Sequence, residues 1–246
     1  MSGESVVRIR ELCGHDEQFV SDSSTSTALN LLHKLLHDLA PDFDVFALTP
    51  WDRDLLLAQV YFRTYGQQVK SSVTCKQCSE KFDLDFNLLE LIDSIRPGKL
   101  PDKVESLGSG IFKTVAGRKF RLITGHDELA VIGKGETEAQ KELVESCMLD
   151  DDNLSDEEIY EIQEAMAALA PIVDLDIDAK CPECHFEQVF HYNLQSYLLR
   201  AIRQEKNLLV REIHMLASSY NWGLQDILSL SRTERKSLAS LIEADY

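Results

Sequence analysis

Two Cys-x-x-Cys pairs constrain the fold of this chain more than any other feature of its sequence. Cys75 and Cys78 form the first pair, and Cys181 and Cys184 form the second. Two residues between cysteines let a tight turn direct both sulfur atoms at one point, and two such turns supply the four thiolates of a tetrahedral zinc site. The sequence therefore predicts one structural Zn²⁺ held by these four cysteines, with no coordination position left for a substrate.

The segments around the two pairs form an internal repeat. Nine positions separate the second cysteine from an Asn-Leu dipeptide in both copies, at Asn87-Leu88 and at Asn193-Leu194. Each copy therefore reads as a strand, a Cys-x-x-Cys turn, a strand and a helix, which is the pattern of a zinc knuckle. If the strands of the two knuckles pair, the 102 residues between Cys78 and Cys181 are a harmless insertion. Aromatic and aliphatic residues match between the copies: Leu84 with Phe190, and Phe86 with Tyr192.

Other interpretations of the cysteines remain open. Redox pairs are expected where a strand runs into a helix of a βαβ unit, whereas each pair here lies between two strands. Cysteines that hold no metal are a second alternative. His185 follows Cys184 and could replace one sulfur ligand. Cys13 and Cys147 have no partner at ligand spacing, so we expect both to be small buried apolar side chains.

The charge of the chain is strongly negative and unevenly distributed. The net charge is −17, and residues 126–178 contain 17 Asp and Glu but only two Lys. Binding to phosphates requires the opposite charge, so no nucleic-acid partner is expected. The acidic stretch is either a solvated helical face or a docking surface for a basic partner.

Sequence patterns of membrane proteins and enzymes are missing from this chain. It has no apolar run of about 18 residues, and its first residues are polar rather than a signal sequence, so we expect a cytoplasmic protein without a membrane partner. His33 and His37 share one helix face but lack the glutamate of a zinc protease. Phosphate-binding glycine loops and nucleophile elbows are also missing. We therefore predict a protein that is not an enzyme and has no small-molecule substrate.

The expected fold class is α+β. A zinc-ribbon-like β core is made from the two knuckles, with helical N- and C-terminal segments and an inserted hairpin with helices. The short strand Val6–Ile9 is expected near the start. The predicted segments are 1–66 for the N-terminal strand and helices, 67–95 for the first zinc knuckle, 96–172 for the inserted β-hairpin and acidic helices, 173–194 for the second zinc knuckle, and 195–246 for the C-terminal helices.

Tyr220 and Trp222 stand at a predicted turn within the C-terminal helices. Apolar residues recur at helical spacing before this turn, and a Ser231/Glu234 capping box predicts a last helix after it. The aromatic residues either close the core of the protein or bind a partner, because Trp and Tyr are frequent binding hot spots.

Several stretches resemble a known family. They are Arg10–Glu17, Asp52–Leu55 through Tyr65-Gly66, Phe120–Gly125 with Asp127, Glu164–Met166, Cys181–Cys184, Leu209–Ala217, Tyr220–Trp222 and Asp226–Leu230. Together they resemble the baseplate hub-assembly proteins of T-even-like contractile phages and of related phage-tail-like contractile injection systems. Family members often have glycine where this chain has Asn221.

The resemblance implies a protein that binds tail-hub or baseplate proteins in the bacterial cytoplasm, as an assembly chaperone or adaptor stabilised by zinc. Whether it stays in the assembled particle is left open by the resemblance. The alternative is a zinc-ribbon regulator that binds DNA. Residues 194–246 carry seven Lys and Arg against six Asp and Glu, a balance that does not favour this alternative.

Overall fold

A computed structural model describes residues 7–37, 39–150 and 154–244. The described chain divides into two compact units. The knuckle unit comprises residues 44–56 and 67–192, and the helical unit comprises residues 7–43, 57–66 and 193–244. No described helix combines the length and the apolar character that crossing a bilayer requires.

The helical unit is built from amphipathic helices. The Leu-rich stretch predicted to form a helix does so, and Leu31, Leu32 and Leu35 are fully buried. A long helix, α3, begins in the knuckle unit and contributes its second half to the helical unit. The helices with residues in this unit are α1 (Gly14–Phe19), α2 (Thr25–His37), α3 (Pro50–Tyr65), α8 (Leu194–Gln204), α9 (Lys206–Tyr220), α10 (Leu224–Ser229) and α11 (Arg232–Ala244).

The knuckle unit combines short helices with three small sheets. Strand β1 pairs with β2, β4 pairs with both β3 and β5, and β6 pairs with β7. Its elements are a 3-10 turn (Val45–Ala47), β1 (Gln68–Thr74), β2 (Lys81–Asn87), α4 (Leu88–Ile95), β3 (Val104–Gly108), β4 (Ile111–Thr114), β5 (Lys119–Arg121), α5 (Gly125–Ala130), α6 (Glu136–Ser146), α7 (Asp156–Leu169), β6 (Asp174–Lys180) and β7 (Glu187–Asn193).

Both knuckles have the predicted succession of strand, turn, strand and helix. The helices begin after the matched asparagines: Asn87 Oδ1 accepts the Leu89 N–H at 2.9 Å, and Asn193 Oδ1 accepts the Ser196 N–H at 2.8 Å. The mixture of helix and sheet is therefore confirmed. The four knuckle strands form two separate two-stranded sheets, so the described chain does not contain one continuous zinc-ribbon sheet.

Two further expectations differ from the structure. Val6 lies outside the described residues, and Val7–Ile9 belongs to no described strand, because the chain here is tied to a helix: the Arg10 N–H donates to the Leu35 carbonyl at 3.2 Å. The predicted hairpin at 112–123 exists, but it gains a third strand, β3, that was not predicted. Four of the five β3 residues are exposed, so the strand shows no alternation of apolar and polar residues.

A second internal repeat positions the start of one helix in each unit. The tetrapeptide Gly-His-Asp-Glu occurs at residues 14–17 and 125–128, each time four positions after an arginine. In the helical unit, Arg10 pairs with Asp16 at the start of α1. In the knuckle unit, Arg121 pairs with Asp127 at the start of α5 through bonds of 2.7 and 2.8 Å. In both copies the aspartate also accepts the N–H of the residue before the helix at 2.9 Å.

The glutamate of each tetrapeptide binds a buried arginine in another helix. Glu17 pairs with Arg235 of α11, and Glu128 pairs with Arg53 of α3. These helices also start alike, with Thr49 and Ser231 as caps that accept the N–H three residues later. We call each set of an Arg–Asp pair and a Glu–Arg pair a GHDE clamp. Each unit contains one clamp. Removing one charge from its buried Glu–Arg pair is expected to lower the free energy of unfolding by roughly 3–5 kcal/mol.

Asp54 is a buried carboxyl group next to the clamp of the knuckle unit. Its Oδ2 accepts the Val173 N–H at 2.8 Å, and the side chain is almost inaccessible to solvent. Burial raises the pKa of Asp54 from 3.8 to about 6. Folding therefore favours the protonated form, so this group contributes stability below pH 3.8 that is lost as the pH rises through about 6.

We predict that Asp54→Asn is more stable than the natural protein above pH 6 by up to about 3 kcal/mol and equally stable near pH 4. The asparagine keeps an acceptor for the Val173 N–H but has no charge to bury. Urea unfolding between pH 4 and 8 measures the difference. Asp93→Asn, at a half-exposed carboxylate, is the control and should show no such divergence. Parallel stability curves for Asp54→Asn and the natural protein would contradict the prediction.

Candidate metal centre

The structure brings the four predicted cysteine ligands together. All four Sγ atoms lie within 4.8 Å of one another, with 3.6 Å between Cys75 and Cys184 and 3.7 Å between Cys78 and Cys181. In a tetrahedral site with metal–sulfur bonds near 2.3 Å, neighbouring sulfurs are about 3.8 Å apart. A disulfide would need about 2.0 Å, and all six cysteines are free. The spacing therefore fits a metal site.

Backbone hydrogen bonds shape the two cysteine turns in the same way. The N–H of the first cysteine donates to the carbonyl five residues later, from Cys75 to Glu80 at 2.8 Å and from Cys181 to Phe186 at 2.9 Å. The residue after the second cysteine donates back to the carbonyl of the first at 3.0 Å in both copies. These bonds turn the two side chains of each pair toward the same point.

The residue after the second cysteine adopts a left-handed backbone conformation in both turns. Its φ is +62° at Ser79 and +58° at His185. Residues other than glycine rarely adopt this conformation, because the Cβ atom approaches the backbone. The shared strain confirms that the two knuckles are structural copies as well as sequence copies.

The two copies approach each other with approximate twofold symmetry. The first cysteine of each pair is the near neighbour of the second cysteine of the other pair, which is the reciprocal pattern of a twofold interface. Phe86 and Tyr192, which match in the repeat, meet edge to face with their ring centroids 4.9 Å apart. This aromatic pair adds apolar packing between the two hairpins at the ends of β2 and β7, away from the cysteine turns.

Gln188 joins the two knuckles where no strand pairing does. Its Oε1 accepts the Lys76 N–H at 2.9 Å, and its Nε2 donates to the Thr74 carbonyl at 3.3 Å. Only 8% of the residue is exposed. The matching residue in the first knuckle is Phe82, which packs with Ala179 in the apolar cluster around the sulfurs. The two knuckles therefore differ at this matched position. Gln188 is polar and hydrogen-bonds to the backbone of the first knuckle, whereas Phe82 is apolar.

The electrostatics of the cluster favour a bound cation. The backbone N–H of Cys78, together with that of Gln77, lowers the pKa of Cys75 to about 6. At Cys78 the Glu80 N–H also lowers the pKa, but burial and the neighbouring thiols outweigh it and raise the pKa to about 12. Cys75 thus ionises readily and opposes ionisation of Cys78 at this spacing. A divalent ion would offset that repulsion, so the donor set fits a thiolate-binding metal such as Zn²⁺.

The other histidines and cysteines considered as metal ligands lie outside the four-cysteine cluster. His33 and His37 contact each other with ring centroids 5.3 Å apart, and among the described residues neither belongs to a group that could hold a metal. Cys147 is fully buried and Cys13 is partly buried. Each thiol lies within 4 Å of the arginine of a GHDE clamp, and burial raises the pKa of both.

Tyr220 and Trp222 form an aromatic pair on the helical unit. Their rings stack with centroids 5.0 Å apart, and the side chains are 38% and 40% exposed. Asn221 lies between them and ends α9 in the left-handed conformation, with φ +55°. This conformation suits asparagine and glycine.

Sequence reasoning missed Gln188 and both GHDE clamps. The clamps had a readable signal, because the same tetrapeptide occurs twice at the same distance from an arginine. Gln188 had none, because a glutamine in a strand gives no indication that its amide binds the backbone of another segment.

One protein family, described as T4 bacteriophage base plate protein, matches residues 1–148. The matched region contains both Gly-His-Asp-Glu tetrapeptides and the first cysteine pair, and it ends before the second pair. A search of curated proteins and a search of solved structures each found no match.

We predict that His185→Gly stabilises the fold by about 0.5–1 kcal/mol, because glycine adopts the left-handed conformation without strain. Chemical unfolding at constant metal concentration measures the change. Lys76→Gly is the matched control, since Lys76 is an exposed residue of the other turn without a positive φ, and it should destabilise by a similar amount. A loss of stability in His185→Gly as large as that in Lys76→Gly would contradict the described turn.

Proposed function

Because this chain belongs to the T4 bacteriophage base plate protein family, we propose that it is a non-enzymatic assembly protein, a chaperone or adaptor, of a contractile phage tail or phage-tail-like injection system. The family match over residues 1–148 is the observation that carries the proposal. A protein of this family has a structural or assembly role in a phage baseplate. The proposed partners are hub or baseplate proteins, met in the bacterial cytoplasm during assembly.

The proposal includes one structural Zn²⁺ bound by Cys75, Cys78, Cys181 and Cys184. The sulfur–sulfur distances of 3.6 and 3.7 Å and the four-thiol donor set support it. When bound, the ion supplies four metal–sulfur bonds and keeps no position for water or substrate. Binding of structural zinc is worth roughly 10–16 kcal/mol in small peptides, so the knuckle unit is expected to depend on it.

We predict that the natural protein contains one zinc ion per chain and that Cys78→Ser and Cys184→Ser each lose it. Both variants should lower the melting temperature to the same extent, because each removes one ligand from the same ion. Elemental analysis and thermal unfolding are the measurements. Cys13→Ser is the control, since this cysteine lies outside the cluster, and it should keep the metal.

Two results would contradict the shared site. One is purified natural protein without zinc in which all four cysteines are alkylated under native conditions. The other is a pair of variants in which one keeps its metal and stability while the other loses both.

The partner surface is proposed to include Tyr220 and Trp222. Exposed, stacked aromatic rings present a large rigid area, which is typical of binding hot spots. Exposed apolar neighbours in sequence extend the surface, among them Leu224, which is 51% exposed. The alternative, that the two rings serve only to close the core of the protein, predicts a loss of folding rather than of binding on substitution.

We predict that Trp222→Ala abolishes co-purification with the baseplate or hub protein while melting temperature and zinc content stay nearly unchanged. The loss of a hot-spot aromatic residue is expected to cost about 2 kcal/mol or more of binding free energy. Leu241→Ala is the control, because Leu241 is an apolar residue of the same unit that is 57% exposed. Normal binding by Trp222→Ala would exclude this surface. Unfolding of the variant would instead show that Trp222 stabilises the core of the protein.

A further inference from the structure

A cavity of about 680 Å³ opens on the knuckle unit, between α7 and the strands β3 and β4. Its less exposed lining includes Val104, Thr114 and Ala165. On α7 the lining also includes the exposed small residue Ala168. We call this cavity the α7 groove. Its volume is within the range of ligand pockets, roughly 300–1,000 Å³. The small side chains of α7 leave room for side chains of another molecule.

The rim of the α7 groove carries an exposed apolar hairpin tip. The Gly117 N–H donates to the Thr114 carbonyl at 2.9 Å, so Val115 and Ala116 are the central residues of the β4–β5 turn. Hairpin turns usually place Gly, Asn or Asp at such positions. Val115 is instead 81% exposed. An exposed valine at a turn beside an apolar cavity indicates a contact surface.

Carboxylates line the opposite wall. Helix α7 contains five Asp and Glu residues and no Lys or Arg. Glu158 is paired with Arg118 at 2.7 Å, whereas none of the ion pairs within the described residues includes Glu161 or Glu164, which line the groove. Asp102 and Lys103, which precede β3, also line the groove, and their opposite charges cancel. The α7 wall is therefore negative and borders an apolar floor.

We propose that the α7 groove binds a basic amphipathic segment of a partner protein. The apolar side chains of that segment would contact Val104, Ala165 and Val115, and its Lys or Arg side chains would pair with Glu161 and Glu164. Residues 126–178 contain 17 acidic residues and two lysines, and this negative charge attracts such a partner over a longer range. A second copy of this chain fits poorly, because each copy carries a net charge of −17.

This inference deepens the proposed function by giving the chemistry of one partner, and it is tested without that partner. The probe is a synthetic helix of Leu and Lys, roughly 15 residues long, with Leu at i, i+3 and i+4 spacing, and its counterpart of Leu and Glu is the reference. Binding is measured by fluorescence anisotropy, and the contact site is located from NMR amide shifts. The Leu–Lys helix should bind and shift the groove residues, and the Leu–Glu helix should not bind.

Two changes to the groove should each weaken binding of the Leu–Lys helix about tenfold or more. One is the double variant Glu161→Lys/Glu164→Lys, and the other is Val115→Asp. The charge-matched control is Glu142→Lys/Glu145→Lys on α6, outside the groove, which should change the affinity by less than about threefold because exposed pairs contribute little. Ala168→Trp fills the groove without changing charge and should also reduce binding. Circular dichroism verifies that each variant is folded.

Equal weakening by the two double variants would overturn the proposal, because binding would then follow total charge alone. Full affinity in both Val115→Asp and Ala168→Trp would overturn it as well, because the apolar part would be unused. Trp222→Ala should bind the Leu–Lys helix normally. Failure of the groove and failure of the proposed partner surface are therefore separate results.

Discussion

The convergence of four cysteine sulfurs is the contact on which the knuckle unit depends. Each knuckle contributes only a two-stranded hairpin, and an isolated hairpin of two strands is marginally stable in water. No strand ladder joins the two hairpins within the described residues. Among the described contacts that join them are the sulfur cluster, the packing of Phe82 on Ala179, the Phe86–Tyr192 pair and the two hydrogen bonds of Gln188. A metal ion at the sulfurs would join the two hairpins through four metal–sulfur bonds. Such a link would let these small sheets support a long insertion.

The GHDE clamps place a second constraint on the fold, one that operates separately in each unit. A buried arginine is stable only when its charge is paired with a carboxylate. Arg235 pairs with Glu17 at the start of α1, and Arg53 pairs with Glu128 at the start of α5. The partners are distant in sequence, so each clamp fixes the chain only once the unit has folded. The knuckle and the clamp are therefore two local structures that each occur twice in the chain.

Local features of the fold could be predicted from the sequence, and contacts between distant segments could not. The Cys-x-x-Cys turns, the Asn87 and Asn193 caps and the Ser231/Glu234 capping box follow from neighbouring residues. Strand β3 was missed because its exposed side chains carry no alternation. The amide of Gln188 binds the backbone of a segment more than 100 residues away. Local sequence patterns give no indication of a hydrogen bond between such distant residues. The grouping of the four sulfurs was foreseen because their repeat supplied the missing long-range information.

The two proposed binding surfaces differ in chemistry, and this difference bears on whether the protein is an adaptor or a chaperone. Tyr220 and Trp222 offer a stacked aromatic surface in the helical unit, whose attraction comes mainly from buried apolar area and depends little on salt. The α7 groove in the knuckle unit combines an apolar floor with carboxylates, and its attraction for a basic segment weakens as salt screens the charges. Two proposed surfaces of unlike chemistry would select unlike partners. An adaptor binds two partners at once, whereas a chaperone needs only one surface that releases its client. The two proposed surfaces together therefore correspond to the adaptor form of the proposed function.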